Sequence, residues 1–189
     1  MTTSKTAAAA LCAALVCLAC AGCASVSGTF FNPRVDYGDI PQEELASVAG
    51  AIEAGVRAGD RELTVENTSG IVVDAPEVVQ AIHTRAARAE LVDKLLSSGH
   101  ACEQRNGVIT LLRTRDYKKS TTSQDRDRNA LVVMSENANR WTIYEGIQKA
   151  SNLKAKSLGA IQDSFYQARV ALLTPGQKYE GPNGEMLTK

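Results

Sequence analysis

An excess of charge of either sign is missing from this sequence, and histidine is scarce. Lysine and arginine together number 21, aspartate and glutamate also 21. Such a balance does not advertise nucleic acid or a strongly anionic partner. Histidine occurs twice, as His83 and His100. With Cys102 these give three scattered ligands at no recognised zinc spacing. His100 and Cys102 are the one close thiol–imidazole pair, and a nucleophilic pair needs hydrogen-bond reach plus an orienting third group. On a strand, i and i+2 share a face but stand about 7 Å apart, because each residue advances about 3.3 Å. Cys102 therefore reads as a half-buried small hydrophobe. His83 falls beside the apolar face of its predicted helix, as a partly exposed residue. No phosphate-cradling glycine loop and no Gly-x-Ser-x-Gly elbow occurs. Glu43, Glu44, Asp60 and Glu62 show no pairing that would raise a pKa, so a glycosidase reading has no support. Aromatics make up only 5% of the chain, which leaves the core to Leu, Ile, Val and Ala.

Cysteine is scarce beyond the N-terminus: four of the five lie in the first 23 residues. Cys17, Cys20 and Cys23 have the C-x-x-C-x-x-C spacing of an iron–sulfur run. Ligating thiolates need polar or electropositive surroundings and a fourth ligand. The fourth position is Ser27, the neighbours are Ala, Leu and Val, and no charge occurs between Lys5 and Arg34. A short "MTTSK" start, an apolar stretch of about fifteen residues (7–21) and a small-residue end form a secretory signal instead. Fifteen is short for a membrane span, which needs about twenty. "CAGC" at 20–23 resembles the lipobox of bacterial lipoproteins, with cleavage before Cys23 and acylation of its thiol. Ordinary signal cleavage after "CAGCAS" is the alternative. Acyl chains would give lasting attachment, each buried methylene contributing about 0.8 kcal/mol. No Asp follows Cys23, so the outer membrane, on its periplasmic side, is the expected location.

Removing residues 1–22 removes Lys5 and three cysteines, so acidic residues then lead by one. Cys23, consumed by lipid, and Cys102 remain, which excludes an intrachain disulfide. The remainder has single-domain size and buries about two-thirds of its unfolded surface.

The expected order is a lipidated tether at 23–38, an N-terminal helix and short strands at 39–75, and a further domain at 76–189. Asp39 and Gln42 form a capping box, after which Leu45, Val48, Ala49, Ile52 and Val56 recur at helical spacing up to Gly59. Residues 61–67 and 70–74 read as short strands around a Thr-Ser-Gly turn. Asp74 and Glu77 form a second capping box, and Val78, Ile82, Ala86, Ala89, Val92 and Leu96 mark one helix that Gly99 ends. Residues 100–113 predict a hairpin turning near Asn106-Gly107. The run 115–129 is polar without periodicity and reads as a solvated loop. A long helix from Ala130 presents Met134, Ala138, Trp141 and Ile147. After Asn152 another presents Leu158, Ile161, Phe165, Ala168 and Leu172, stopped by Pro175-Gly176. Residues 178–187 predict a second hairpin around "PNG". The fold class is α+β, mainly helical, with three to four amphipathic helices and short hairpins.

The C-terminal half, about 76–189, resembles the YdbL-like family of small bacterial envelope proteins, a single domain of unknown function. The likeness rests on "ENANRWTIY", where Asn137, Arg140 and Tyr144 fit N-x-x-R-x-x-x-Y, on "ASN" at 150–152, on the helix 155–173, and on the ending "TPGQKYEGPNGEMLTK". Pro175, Gly176, Gly181, Asn183 and Gly184 match there. Gly99, Glu103 and Gly107 match an upstream G-x-V-G-E segment and its strand. Ala101 replaces Val, Cys102 replaces Gly, and Met186 stands where Trp is usual. The resemblance implies a periplasm-facing accessory protein without catalysis. Its implied partners are an AsmA-like bridging protein or a small lipoprotein, in a system that moves phospholipid between membranes. Relatives are often simply secreted, so the lipobox is a departure.

Asn137, Arg140 and Tyr144 at i, i+3 and i+7 share one helical stripe. They can grip a partner's strand edge, carboxylate or phosphate. Alternatively, Arg140 pins the polar loop or the tail's carbonyls to the helix. Exposed edges of the 100–113 and 178–187 strands offer β-augmentation. The expected function is thus a lipid-anchored binding or chaperone-like factor in outer-membrane lipid homeostasis, with no cofactor. The alternative is a cell-wall or lipid hydrolase with an unrecognised site.

Overall fold

The computed structural model describes residues 37–38 and 40–189. The signal, the lipobox, Cys23, nearly all of the tether and Asp39 lie outside the described residues. Helix α1 (Gln42–Ala58) starts behind Pro41 without a side-chain cap and ends at Gly59. Its spacing buries Leu45, Val48, Ala49, Ile52 and Val56, and Glu53 goes in with them.

The expected strands at 61–67 and 70–74 do not form. A single bridge joins Thr68 and Ile71, and neighbouring backbone N–H groups find side-chain acceptors. Val73 donates to Asn67 Oδ1 at 2.7 Å and Val72 to Ser151 Oγ at 2.8 Å. With donors satisfied this way, no neighbouring strand is required.

The expected 78–96 helix is two helices, α2 (Pro76–Ala86) and α3 (Ala89–Ser97), and the second capping box is absent: Ala75 occupies the N-cap and Pro76 the first turn. The break sends their apolar residues to different places. Val78, Ala81 and Ile82 join a core with Leu45, Ile52, Ile71, Ile143 and Phe165. Val92, Leu95 and Leu96 join a second core with Ala101, Ile109, Val133 and Leu173. Gly99, at φ 67°, ends α3 in a Schellman pattern: its N–H reaches Leu96 O and that of His100 reaches Leu95 O.

Strands β1 (Ala101–Glu103) and β2 (Ile109–Leu111) form the first hairpin, β3 (Lys178–Glu180) and β4 (Met186–Thr188) the second. Both hairpins were legible. They merge into one sheet of order β2-β1-β3-β4, with β1 and β3 parallel through Cys102↔Lys178 and Glu103↔Tyr179.

The 115–129 run is not a loop. Helix α4 (Arg115–Ser120) is capped by Thr114, and α5 (Ser123–Ala150) begins with a Thr122–Asp125 capping box. Tyr117 alone of α4 is buried, too little to create an apolar period. Helix α5 also presents a different face from the one expected. Its buried residues are Val133, Glu136, Arg140, Ile143, Tyr144, Gly146 and Ile147, while Met134 is 67% and Trp141 37% exposed. Two charged residues on the inward stripe hide it from a hydrophobicity reading. After a 3-10 turn (Ala155–Ser157), helix α6 (Leu158–Leu172) inserts Ile161 and Phe165 into the first core.

The described residues belong to one compact unit, in which α1 shares its core with α2, α5 and α6.

Candidate functional site

Six charged side chains from five elements close a ring inside the molecule. Arg85 of α2 grips Glu53 of α1 with both terminal nitrogens, at 3.0 and 2.7 Å. Its Nε donates to Glu136 Oε1 of α5 at 2.9 Å. Arg140, one turn further along α5, donates from Nε to the same oxygen at 2.8 Å and grips Glu103 of β1 at 2.7 and 2.9 Å. Arg169 of α6 completes the circuit, reaching Glu103 at 3.0 Å and Glu53 at 2.8 Å. All six are at most 5% exposed. Three guanidinium groups thus face three carboxylates, alternating around the ring.

This arrangement meets the requirement for burying charge, because each ion is paired more than once. Burial alone would raise the Glu136 carboxyl, yet Arg85 and Arg140 outweigh it and pull it to about 2. Burial is likewise the largest influence on Glu53 and Glu103 and would raise both. Arg85 with Arg169, and Arg140 with Arg169, reverse it and hold the two below the usual carboxylate range. Burial opposes the charge on Arg140 too, but Glu103 and Glu136 raise its pKa further still. All three carboxylates are therefore ionised acceptors at neutral pH, not proton donors.

The stripe of Asn137, Arg140 and Tyr144 lies against the first hairpin. Asn137 accepts from Ile109 N and donates to Ile109 O, both at 2.9 Å, so it satisfies the outer backbone of β2. The Gly107 carbonyl accepts from Tyr144 at 2.7 Å, Arg169 at 3.1 Å and Arg140 at 3.4 Å. Burial raises the Tyr144 hydroxyl's pKa. Arg140 and Tyr144 are at most 1% exposed, so in this fold their polar atoms meet the hairpin rather than a partner surface. Gly107 sits at φ 86°, and a Cβ there would meet the Tyr144 ring at 3.0 Å. Glycine is what lets the turn come this close.

His100 and Cys102 go separate ways. The His100 ring bonds Ser120 at 3.3 Å and meets Tyr117 edge-on at 4.9 Å. Cys102 is buried at 2% exposure, and burial, reinforced by Glu103, pushes its thiol up to about 11. His83 Nε2 bonds Leu63 O at 3.0 Å. Among the described residues, no group of three or more His, Cys, Asp or Glu is placed to hold a metal ion.

Five ring members escaped the sequence reading as site residues: Glu53, Arg85, Glu103, Glu136 and Arg169. The available signal was a charge on an apolar stripe, as with Glu53 beside Ile52, and the Glu136–Arg140 pair at i, i+4.

The outer face of α5 is the other unusual feature. Leu131 (65% exposed), Met134, Ala138 and Trp141 are all exposed. Their 3-4-3 spacing is that of a two-heptad seam. The stripe runs about 15 Å at 1.5 Å per residue, and Asp127 and Glu145 stand four residues beyond its two ends. Among sheet edges, β1 and β3 are interior, β2 is met by Asn137, and β4 is the outer strand with Met186 exposed. No helix among the described residues is long and apolar enough to cross a membrane. Compared with known protein families, curated proteins and solved structures, the chain gives no match.

Proposed function

We propose that this chain is a lipid-anchored, non-catalytic binding module of a bacterial cell envelope, and that it docks a partner helix on the outer stripe of α5. The observation that carries the reading is that stripe: four apolar residues in heptad register on a well-packed helix, turned outward. Apolar seams of this spacing are covered by another helix where they are used. Charge selects the partner. Asp127 and Glu145 bracket the seam, Glu145 with Lys149 of the same helix at 3.7 Å, so the complementary helix bears Lys or Arg opposite the Asp127 end of the stripe. A second copy fits poorly. Antiparallel pairing sets Asp127 opposite Glu145, and parallel pairing sets each acid opposite itself.

The anchor comes from the lipobox at 20–23, and the envelope setting from the lipobox and the YdbL-like resemblance. The non-catalytic character is supported by the ring. The buried carboxylates are the natural acid–base candidates, and each is held ionised by two or more guanidiniums.

The test has two arms on protein taken from envelopes of its native host. Intact-mass analysis of the N-terminus is expected to show a chain beginning at an acylated Cys23. Native gel analysis of the solubilised protein is expected to show a complex that Met134→Glu dissolves while Arg113→Glu leaves it intact. A complex indifferent to Met134→Glu overturns the docking reading, and an unacylated mature chain overturns the anchor.

A further inference from the structure

Between Arg113 and Asn129 the sequence has no aliphatic residue and one aromatic, Tyr117. Tyr117 is 2% exposed, and three contacts fix it. Its ring meets His100 edge-on at 4.9 Å, its hydroxyl accepts from Asn129 at 3.2 Å, and its N–H donates to the Thr114 cap at 3.1 Å. Arg126 braces the far end of α4 by donating to Thr121 O at 2.6 Å. At about 100° per residue, Arg115, Lys118 and Lys119 fall within an arc of about 100°, with Tyr117 on the other side of the helix. Burying Tyr117 therefore turns all three cations outward. They are exposed, as is Arg113 just before the cap. Among the described residues, none of these four side chains makes a hydrogen bond or an ion pair.

We propose that the outward face of α4, with Arg113, is a docking surface for the anionic headgroups of a phospholipid bilayer. The inference goes beyond the docking of a helix on α5. It rests on that reading only for the anchor, which would hold the chain beside a bilayer.

Three observations carry it. The first is charge segregation. Residues 113–119 contain four basic residues against Asp116. Elsewhere in 23–189 there are sixteen basic residues and twenty acidic ones. Extending the segment to residue 128 adds Arg126 and Arg128 against Asp125 and Asp127, which leaves the local excess unchanged. A nearly balanced chain thus presents one positive field. The second is that the four cations are unpaired, so no internal carboxylate has to be displaced before they meet phosphate. The third is what the surface lacks. Protein interfaces are anchored by buried aromatic or apolar side chains, and single-stranded nucleic acid by aromatic stacking platforms. This face exposes neither. Charge without anchors suits a plane of headgroups, where each Lys or Arg contributes about fivefold in partitioning. With nothing apolar to insert, the contact is superficial and reversed by salt.

The experiment is vesicle co-sedimentation of the full mature chain from residue 23, made without acyl chains so that the face is read apart from the anchor. Vesicles of phosphatidylglycerol and phosphatidylcholine in equal parts are compared with phosphatidylcholine alone. At low salt, partitioning is expected to be about a hundredfold stronger on the anionic vesicles, as a local excess of three charges implies. It is expected to vanish near 0.5 M sodium chloride, where the Debye length is about 4 Å. Lys118→Gln with Lys119→Gln is expected to weaken it about 25-fold. Arg61→Gln with Lys149→Gln removes the same charge from exposed positions elsewhere and is expected to change it less than threefold. Acetylation of Lys118 and Lys119 in the unaltered protein is expected to slow on anionic vesicles, which reads the contact without a variant. Emission from Trp141, the single tryptophan, is expected not to shift, because α5 does not insert. Equal partitioning to both vesicles, equal effects of the two variant pairs, a blue shift of Trp141, or stronger binding per phosphate to oligothymidylate would each overturn the proposal. An unacylated chain in envelopes removes the anchor but not this result, so the two readings fail separately.

Discussion

Replacing Arg140 by Met removes one guanidinium from the ring and leaves nearly the same volume of apolar stem. Glu103 loses two contacts at 2.7 and 2.9 Å and keeps only Arg169 at 3.0 Å; Glu136 loses its contact at 2.8 Å. Three buried carboxylates then face two ring arginines. Breaking a buried pair by deleting one partner costs about 3–5 kcal/mol, because a charge is left without compensation in a low dielectric. Native domains have about 5–15 kcal/mol in total, so the variant should lose about a fifth of its stability or more. For a domain of this size the melting temperature should fall by roughly 6–20 °C. Urea unfolding followed by far-ultraviolet circular dichroism measures the loss. The double variant Arg140→Met, Glu103→Leu removes the orphaned charge as well. It should recover about 1–3 kcal/mol relative to the single change, as direct partners are non-additive. A loss below about 1 kcal/mol for Arg140→Met would refute the reasoning, and so would strict additivity in the double variant.

Four further outcomes are expected. Stability should fall in acid: Glu136 goes from an ordinary 4.5 to about 2 in the fold, so its contribution is full above about pH 4.5 and is lost toward pH 2. Glu53 and Glu103 shift the same way, and each carboxylate adds up to about 1.4 kcal/mol per pH unit; urea midpoints at pH 6, 4 and 3 read this. Asn137→Ala strips both bonds from Ile109 and should cost about 1–3 kcal/mol, seen as faster amide exchange in β2. Gly107→Ala forces a side chain at positive φ against the Tyr144 ring and should cost about 1 kcal/mol or more, measured by the same urea melts. Cys102, with its thiol at about 11, should resist iodoacetamide at pH 8 until denaturant is added.

The parts of this fold legible in the sequence are those with a local cause. The apolar stripe of α1, the turn at Gly107 and the stop at Pro175-Gly176 each depend on a few neighbouring residues. Where tertiary contacts decide, the reading went astray. The 70–74 segment has the composition of a strand, but Asn67 and Ser151 bind its backbone. Helix α4 has no apolar period because Tyr117 alone faces inward. Helix α5 misled most, since its inward stripe carries Glu136 and Arg140 while Leu131, Met134 and Trp141 face out. The ring was illegible for the same reason. Its charges lie on five elements between residues 53 and 169, and no spacing rule joins them. The stripe of Asn137, Arg140 and Tyr144 was legible as three residues that act together. What they act on, the Gly107 turn and the β2 backbone, follows only from the fold.

A photo-crosslinker scanned along 124–149 in native envelopes tests the central claim most directly. The account expects a single discrete adduct whose yield peaks at 131, 134, 138 and 141 and falls at Ser135 and Thr142. An even yield around the helix, or adducts from Met186 on β4 and none from α5, would contradict it.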